Sequence, residues 1–461
     1  MKWIRRRSLC GAAWLTLAIL CAVGGQSALR AALPGAQNQV ACRFDTGKAA
    51  LGFAAVDTLR ARMDDSAADG RAEGEVAAWT QISGVRAACE QTGGSVSVDA
   101  LWVDGPSRWI WDWRAMEGSL PDFGSARVCA LDAGTALQLF GSTDVLGQAV
   151  EVGGVRLAVA CVFELPRGLA ALGADTGSGL VLGPVQALDD PPPVRALDFS
   201  VVSYNGETAD AWASAWLSAA GIDSPAHTDA RAEQEAMLTL AAQAPSIAFV
   251  LLIVCPLIAA AAALLRATAM GCAAQWGDRL APAAWGWRTL GAGLAGASLL
   301  LALAAVALAL PRIAVEVPPS YLPTRWSDLS FWPTLVTQRA QQSAQRVMLG
   351  ALRPDMVRDH WMALSAGLSL TAAPLLWLAW RAFRQAAQPG ASPAKLLFPA
   401  VAACAAAPAA LLVAKSLGWP PAAPPGLAAL AVFFSVVPPL LLAYPPAKLL
   451  RIYLIKEEMQ A

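Results

Sequence analysis

The feature that most constrains this chain is a set of apolar runs, each about twenty residues long, that fill most of its second half. A helix needs about 20 predominantly apolar residues to cross a bilayer. Charged residues make up only 15% of the chain, against about 25% in an ordinary soluble domain. The sequence therefore predicts a membrane protein with about six transmembrane helices. The predicted spans are residues 8–30, 245–265, 288–311, 361–380, 396–416 and 425–444.

The first span has a second interpretation. Lys2 and the arginines at 5–7, followed by an apolar run, are typical of a signal peptide, and Cys21 would be the acylated residue of a lipoprotein. Leu20 is too large for a lipoprotein site, and no small-x-small cleavage motif directly follows the run. We therefore favour an uncleaved first helix. On either interpretation the residues after it leave the cytoplasm.

Basic residues give these spans an orientation, because loops rich in Lys and Arg stay on the cytoplasmic side. The N-terminal residues, the loop 266–288, the loop after the fourth span and the C-terminal tail all carry such residues. One topology satisfies all four regions. It places both termini in the cytoplasm and makes the chain a multi-pass protein of the plasma membrane. Residues 33–244 and 312–360 then lie outside.

The predicted domain organisation follows from this topology. It comprises an N-terminal transmembrane helix (1–32), an extracytoplasmic domain (33–244), transmembrane helices two and three with the cytoplasmic loop 266–288 (245–311), an extracytoplasmic loop (312–360), and transmembrane helices four to six with a cytoplasmic tail (361–461).

The predicted extracytoplasmic domain is acidic, with 27 Asp and Glu against 13 Lys and Arg over residues 33–244. This charge argues against nucleic acid or anionic lipid head groups as partners, and the segment is long enough for its own core. Its pattern predicts an α+β domain with an antiparallel sheet and a few packed helices. The predicted elements are a helix over 49–65, a helix end passing into a strand over 75–90, a strand over 94–105, a strand and helix over 127–141, a hairpin over 148–164, a strand over 198–206 and a helix over 209–221.

No residue pattern in the chain points to catalysis. The string nearest to a phosphate-binding loop, residues 46–49, lacks the upstream Gly and the Ser/Thr that would hold magnesium. With two His and no Cys-x-x-Cys pair, we expect no metal and no cofactor. We therefore expect the chain not to be an enzyme. Disulfides and small buried thiols both remain open for the four cysteines of the outer domain: Cys42, Cys89, Cys129 and Cys161.

A longer motif carries a resemblance to a known family. Residues 115–165 contain Gly118 ahead of a strand, a helix ending in Leu-Phe-Gly at 139–141, the string Asp144-x-x-Gly147-Gln148 and a β-hairpin. This arrangement resembles the periplasmic core domain of MacB/FtsX-type ABC-transporter permeases. The resemblance implies a membrane subunit that dimerises with itself or with a second permease, recruits a separate ATP-binding cassette subunit, and transmits motion to its outer domain.

The chain departs from that family in two places. The family has four membrane helices per subunit, and this sequence predicts six. The loop 266–288, which corresponds to the family's ATPase-docking site, keeps little of the family's motif. Candidate docking residues there are Arg266, Gln275, Trp276, Asp278 and Arg279; a plain positively charged cytoplasmic loop is the alternative. Two functions stay open: an ABC-type permease, or a membrane-anchored extracytoplasmic binding or regulatory protein (a pseudo-permease) without an ATPase.

Aromatic residues raise two further hypotheses. Trp109, Trp111 and Trp113 alternate along the chain and would share one face of a strand, either packed under a helix, which we favour, or exposed as a patch. In the outer loop, Tyr321, Trp326, Phe331 and Trp332 are typical of a short amphipathic segment at the lipid interface. Asp144, Gly147 and Gln148 fit turn chemistry better than a binding loop.

Overall fold

The computed structural model describes residues 2–32, 38–45, 51–68, 74–111, 113–124, 126–165, 178–201, 209–255 and 352–386, most of 317–350 and parts of 258–305. Contacts divide the chain into two compact units. The sheet unit comprises residues 31–237 and 317–361, and the helical unit comprises residues 1–30, 238–316 and 362–461. The outer loop predicted from sequence thus belongs, from residue 317 onward, to the same unit as the acidic domain.

The sheet unit is an α+β structure, as predicted, with eleven described strands. The strands are β1 (Gln39–Arg43), β2 (Gly74–Ala88), β3 (Ser95–Pro106), β4 (Arg114–Gly118), β5 (Asp122–Phe123), β6 (Val128–Asp132), β7 (Ala149–Val152), β8 (Val155–Glu164), β9 (Gly179–Pro184), β10 (Ala196–Val201) and β11 (His227–Ala230). The helices that begin in this unit are α2 (Phe53–Ala68), α3 (Ala133–Phe140), α4 (Ala209–Ala219), α5 (Arg231–Ala242), α7 (Phe331–Met348) and α8 (Arg353–Ala386).

The strands form one sheet whose order is β11-β1-β10-β2-β7-β8-β6-β9-β3-β5, with β4 on β8. Strand β2 also pairs with β3, so the path from β2 through β7, β8, β6, β9 and β3 returns to β2. Side chains from these strands and from α3 pack into one hydrophobic cluster inside this closed circuit, including Trp102, Leu131 and Leu157. Strands β11, β1 and β10 continue from β2 and carry the site described below.

Strand β2 corrects one sequence prediction. The Ala-rich start of residues 75–90 was expected to end a helix, but the whole of Gly74–Ala88 is extended. Val76 and Ala78 pack into one hydrophobic cluster of the sheet, whereas Ala77 and Trp79 pack into another. A strand covered on both faces reads as a continuous apolar run without alternation. Pairing with β10 and β3 therefore overrides the local preference for helix.

Capping and turn residues define the local structure of residues 132–154. Asp132 caps α3 by accepting hydrogen bonds from the backbone N–H groups of Gly134 and Thr135, and Gly141 ends the helix with φ of 75°. The hairpin of β7 and β8 turns at Gly153 and Gly154, whose φ angles of 57° and 86° are positive. Local sequence thus determines this part of the fold.

Helix α5 leads out of the sheet unit. It ends at Ala242, and a second helix, α6 (Ala244–Phe249), follows with Pro245 in its first turn. Because Pro lacks an N–H, it is tolerated at the first turn of a helix but not in its interior. The helical segment is therefore interrupted at Gln243, between α5 and α6. A π-helical turn over Val250–Val254 continues the segment.

The helical unit contains α1 (Lys2–Ala32) packed antiparallel against α8. Near one end Arg7 donates a hydrogen bond to Gln385 at 2.5 Å, and near the other end Gly25 faces Ser365 and Ser369. A Cβ on Gly25 would lie 3.0 Å from the Ser369 backbone nitrogen and 3.1 Å from the Ser365 carbonyl oxygen. The two backbones approach closely there, as is common where membrane helices pack through small residues.

Three helices in the described part of the chain are long and apolar enough to cross a membrane: Leu9–Ala32, Glu233–Leu252 and Arg353–Gln385. The first and third overlap the predicted spans 8–30 and 361–380. The second begins twelve residues before the predicted start at 245, because α5 is itself apolar along much of its length. A shorter apolar helix, Gly293–Ala302, falls in the predicted span 288–311. The predicted spans 396–416 and 425–444 lie outside the described residues, so the number six stays a prediction.

Candidate functional site

The candidate functional site is a buried network of arginines and aspartates in the sheet unit, centred on Asp198 of β10. Asp198 is only 1% exposed. Its Oδ2 accepts a hydrogen bond from Trp79 Nε1 at 2.6 Å, and its Oδ1 lies 2.7 Å from Arg231 NH2 and 3.4 Å from Arg43 NH2. Asp198 therefore joins the first residue of α5 to strand β1.

Arg43 continues the network from β1 to the first turn of α8. Its Nε and NH2 donate to the two carboxylate oxygens of Asp355 at 2.7 and 2.8 Å, a bidentate pair. Asp355 also accepts from Arg358 NH1 at 2.9 Å, and Arg358 NH2 donates to the carbonyl oxygen of Ile110 at 3.0 Å. All three side chains are nearly or fully buried.

A second arginine fixes the very start of α8. The backbone N–H of Arg353 donates to Gln81 Oε1 at 2.8 Å, which satisfies one of the N–H groups that a helix start leaves without a helical partner. Its guanidinium donates to the carbonyl oxygens of Ser178 and Gly179 at 2.7 and 3.0 Å and lies 3.3 Å from Asp99 Oδ2. The first turn of α8 is thereby tied to β2, β3 and β9.

A third group of charges links α7 to strand β11 and to α8. Arg346 of α7 lies 3.4 Å from Asp229 Oδ2 and 2.9 Å from Asp359 Oδ1 of α8. His227 Nε2 lies 2.9 Å from Asp229 Oδ1. Burial opposes ionisation of Asp229, but hydrogen bonding from His227 and attraction to Arg346 outweigh it, and the pKa of Asp229 is lowered.

The network as a whole is electrically balanced. Arg43, Arg231, Arg346, Arg353 and Arg358 face Asp99, Asp198, Asp229, Asp355 and Asp359. Burial disfavours the charged guanidinium of Arg43, yet attraction to Asp198 and Asp355 prevails and raises its pKa. For Arg231, burial and repulsion from Arg358 together lower the pKa.

Disrupting such a network costs free energy. Removing one member of a buried ion pair leaves a charge without compensation, which costs about 3 to 5 kcal/mol. Arg231 begins α5, which contains the start of the candidate span Glu233–Leu252, and Arg353 begins α8, which contains the candidate span Arg353–Gln385. The arrangement therefore fastens the starts of these two helices to a single sheet. The described residues contain no group of three or more potential metal ligands.

The residues predicted to dock an ATPase fall mostly outside the described part of the chain. Gln275, Trp276, Asp278 and Arg279 are among the residues that the structure does not describe. Arg266 is helical and exposed. The docking loop 266–288 therefore stays a prediction.

The tryptophan motif does not form the predicted strand. Trp109 ends a 3-10 turn that begins at Ser107, directly after Pro106 closes β3. Trp109 Nε1 donates to Glu75 Oε2 at 2.6 Å, whereas Trp113 is buried with its ring centroid 5.1 Å from that of Phe163. The three rings therefore do not share one exposed face. Trp113 is buried in one hydrophobic cluster of the sheet unit, and Trp109 and Trp111 pack against it, so the three rings form no exposed patch.

The other predicted positions have structural roles. Gly147 has a φ of 77°, and its N–H donates to the Val159 carbonyl oxygen, so the string at 144–148 is a turn between α3 and β7. Cys42, Cys89, Cys129 and Cys161 are free and buried, which corresponds to the second of the two predicted alternatives. Burial raises the pKa of the Cys42 and Cys129 thiols to about 12.

Sequence reasoning missed the ion network, although two signals were present. Asp198 stands between Leu197 and Phe199 in an apolar strand, and Arg43 follows the apolar run Val40–Cys42. A charge inside an apolar strand requires a buried partner. A search for isolated charges in buried strands would have singled out both residues, but not their partners.

Two solved structures of extracytoplasmic domains are similar to part of this chain. The chain is similar to the periplasmic region of MacB from Actinobacillus actinomycetemcomitans, with 14% identity over 41% of this chain and 86% of that one and a TM-score of 0.30. It is also similar to the extracellular domain of the noncanonic ABC-type transporter YknZ from Gram-positive bacteria, with 14% identity over 41% of this chain and 97% of that one and a TM-score of 0.29. The likeness to MacB-type outer domains, predicted from residues 115–165, is found again here. No family model and no curated protein sequence matches the chain.

Proposed function

We propose that this chain is the membrane subunit of an ABC-type system of the MacB/FtsX kind, in which a separate ATP-binding subunit drives movement of an extracytoplasmic domain. The observation that carries the proposal is the buried ion network. It fastens the first residues of α5 and α8 to the same sheet through Asp198 and Asp355. A force along either helix would then reach the sheet directly, without a flexible linker.

The ATP-binding subunit would dock at the cytoplasmic loop 266–288. Arg266 and Arg279 would supply positive charge there. The chain itself has no phosphate-binding motif, so the energy of ATP hydrolysis must come from the partner. In this proposal the chain is a pure transmitter, which works as a homodimer or with a second permease.

The proposed topology places the chain in the plasma membrane with both termini in the cytoplasm and the sheet unit outside. The antiparallel packing of α1 and α8 supports it. Arg7 near the start of α1 and Gln385 near the end of α8 lie at the same end of the helix pair. The first span would run outward and the span of α8 inward, as the distribution of basic residues predicts.

Affinity purification of the tagged full-length chain from detergent-solubilised native membranes, with mass spectrometry, tests the proposal. An ATP-binding cassette subunit should co-purify, and it should be lost when residues 266–288 are replaced by a neutral linker of equal length. The variant Asp122→Asn, altered only at an exposed ion pair of the sheet unit, should retain the subunit. Absence of any ATPase, under conditions that preserve a known ABC complex, would favour the membrane-anchored binding protein.

A further inference from the structure

Helix α7 exposes an apolar face that the sheet unit leaves uncovered. Leu329, Trp332 and Val336 recur at three- and four-residue spacing, so they lie on one side of the helix and the turn before it. Their exposed fractions are 81%, 46% and 68%, and Leu322 in the preceding segment is 40% exposed. Large apolar side chains grouped and exposed in this way mark an interaction surface.

The side of α7 next to this face is anchored by polar contacts, since Arg339 follows Val336 by three residues and Trp332 by seven. Arg339 forms an ion pair with Glu233 of α5 at 3.2 Å, and its guanidinium lies 4.7 Å from the centre of the Tyr321 ring. Arg346, seven residues further along α7, pairs with Asp229. Both arginines pair with carboxylates of the sheet unit, and Leu329, Trp332 and Val336 stay exposed beside them.

These anchors give α7 a direction relative to α5. Arg346 contacts Asp229, whereas Arg339, seven residues earlier, contacts Glu233, four residues later. Going from Met348 back toward Phe331, α7 therefore follows α5 away from the sheet. Glu233 is also the first residue of the candidate span Glu233–Leu252. The apolar residues are gathered at the amino-terminal end of α7, beyond the contact of Arg339 with Glu233.

The composition of α7 indicates what this exposed face contacts. Helix α7 contains no Asp or Glu, although the domain that it packs against carries 27 acidic and 13 basic residues over 33–244. Trp332 is half exposed at the amino-terminal end, and tryptophan is enriched where one part of its ring meets lipid and another meets water. The carboxy-terminal half is mostly polar, and Met348, which is exposed there, lies on another side of the helix.

We propose that Leu329, Trp332 and Val336 insert into the outer surface of the lipid bilayer, so that the amino-terminal end of α7 is a membrane contact of the sheet unit. The amino-terminal half of the helix then lies at the level of lipid headgroups, and its polar half stays in water. This contact does not depend on an ATP-binding subunit.

Photo-crosslinking of the full-length chain in its native membrane tests this contact. A benzophenone amino acid at Val336 is compared with one at Ser343, which is exposed on the same side of α7 two turns further along. The expected result is a phospholipid adduct, detected by mass spectrometry, that is several-fold more abundant at Val336 than at Ser343. Equal or absent lipid adducts at the two positions would overturn the proposal, as would crosslinks from Val336 to a second copy or to another protein.

Discussion

Arg43 Nε lies 2.7 Å from Asp355 Oδ2, although 312 residues separate them in the chain. Arg43 ends the first strand of the sheet unit, and Asp355 is in the first turn of a helix that is long and apolar enough to cross a membrane. The pair therefore joins an early and a late part of the sequence within one buried ion network.

Asp198→Asn should be the most damaging single change in this network. Loss of the carboxylate charge leaves Arg43 and Arg231 buried with too little negative charge, at a cost of about 3 to 5 kcal/mol. Hydrogen exchange of the full-length protein in detergent micelles measures this loss of stability. The amides of β1, β10 and β11 should exchange faster in the variant than in the wild type. The control is Asp122→Asn, whose ion pair with Arg108 is exposed and whose effect should stay within about 0.5 kcal/mol. Similar exchange in the two variants would contradict a structural role for the network.

Arg346→Gln should lower stability at neutral pH and lose this effect in acid. The pKa of Asp229 is lowered in the folded protein, so its contribution is present above the ordinary value of 3.8 and disappears as the pH falls through the folded value. Wild type and variant should thus differ at pH 7, and the difference should shrink first as Asp359, with a pKa raised to about 6, is protonated, and then below pH 3.8 as Asp229 is protonated. Melting temperatures across this range measure the difference, with the exposed Arg114→Gln as a control that should show none. A constant gap at all pH values would mean that Arg346 acts by packing alone.

Cys42 and Cys129 should not react with maleimides in the folded protein. Burial raises the pKa of both thiols to about 12 from 9.0, so almost no thiolate exists near neutral pH. Because the folded-state value is the higher one, their contribution to stability is complete below pH 9 and is lost between about pH 9 and pH 12. Peptide mapping after alkylation, with and without denaturant, measures the labelling. Ready labelling of the native protein would show that strands β1 and β6 open easily.

Gly25→Ala should weaken the packing of α1 on α8. The added Cβ would meet the backbone of Ser365 and Ser369, which cannot move aside as a flexible side chain could. We expect a loss of about 1 to 3 kcal/mol, as for overpacked cores. The matched control is Gly367→Ala, where a Cβ meets open space and the helix should gain up to about 1 kcal/mol. Thermal aggregation midpoints in detergent compare the two, and equal midpoints would show that α1 and α8 separate easily.

Local sequence predicted the parts of the fold that depend on local chemistry. Asp132 and Gly141 bound α3, and Gly153-Gly154 makes the hairpin, because capping and turn preferences act within a few residues. The first part of strand β2 was wrongly predicted as the end of a helix, because its Ala-rich sequence favours a helix when the neighbouring strands are not known. Apolar length alone identified the helices at Leu9–Ala32 and Arg353–Gln385.

The candidate site could not be predicted in the same way. Asp198 and Arg43 are recognisable as charges in apolar strands, but nothing near them in sequence indicates Asp355 or Arg358. Their pairing depends on segment 317–361 joining the same compact unit as residues 31–237. That association depends on tertiary structure, whereas the sequence had predicted the outer loop as a separate segment.

The long separation of Arg43 from Asp355 also has a consequence for biosynthesis. A ribosome adds about 5 to 20 residues per second, so roughly 15 to 60 s pass between the synthesis of these two partners. Through that interval the strands β1, β10 and β11 can assemble, but Arg43 and Arg231 share only the carboxylate of Asp198. Under the proposed topology, two further spans must be inserted before Asp355 is translocated. Under that topology the nascent domain would wait outside the cytoplasm in an incomplete and charged form, and membrane insertion would set the time of its maturation.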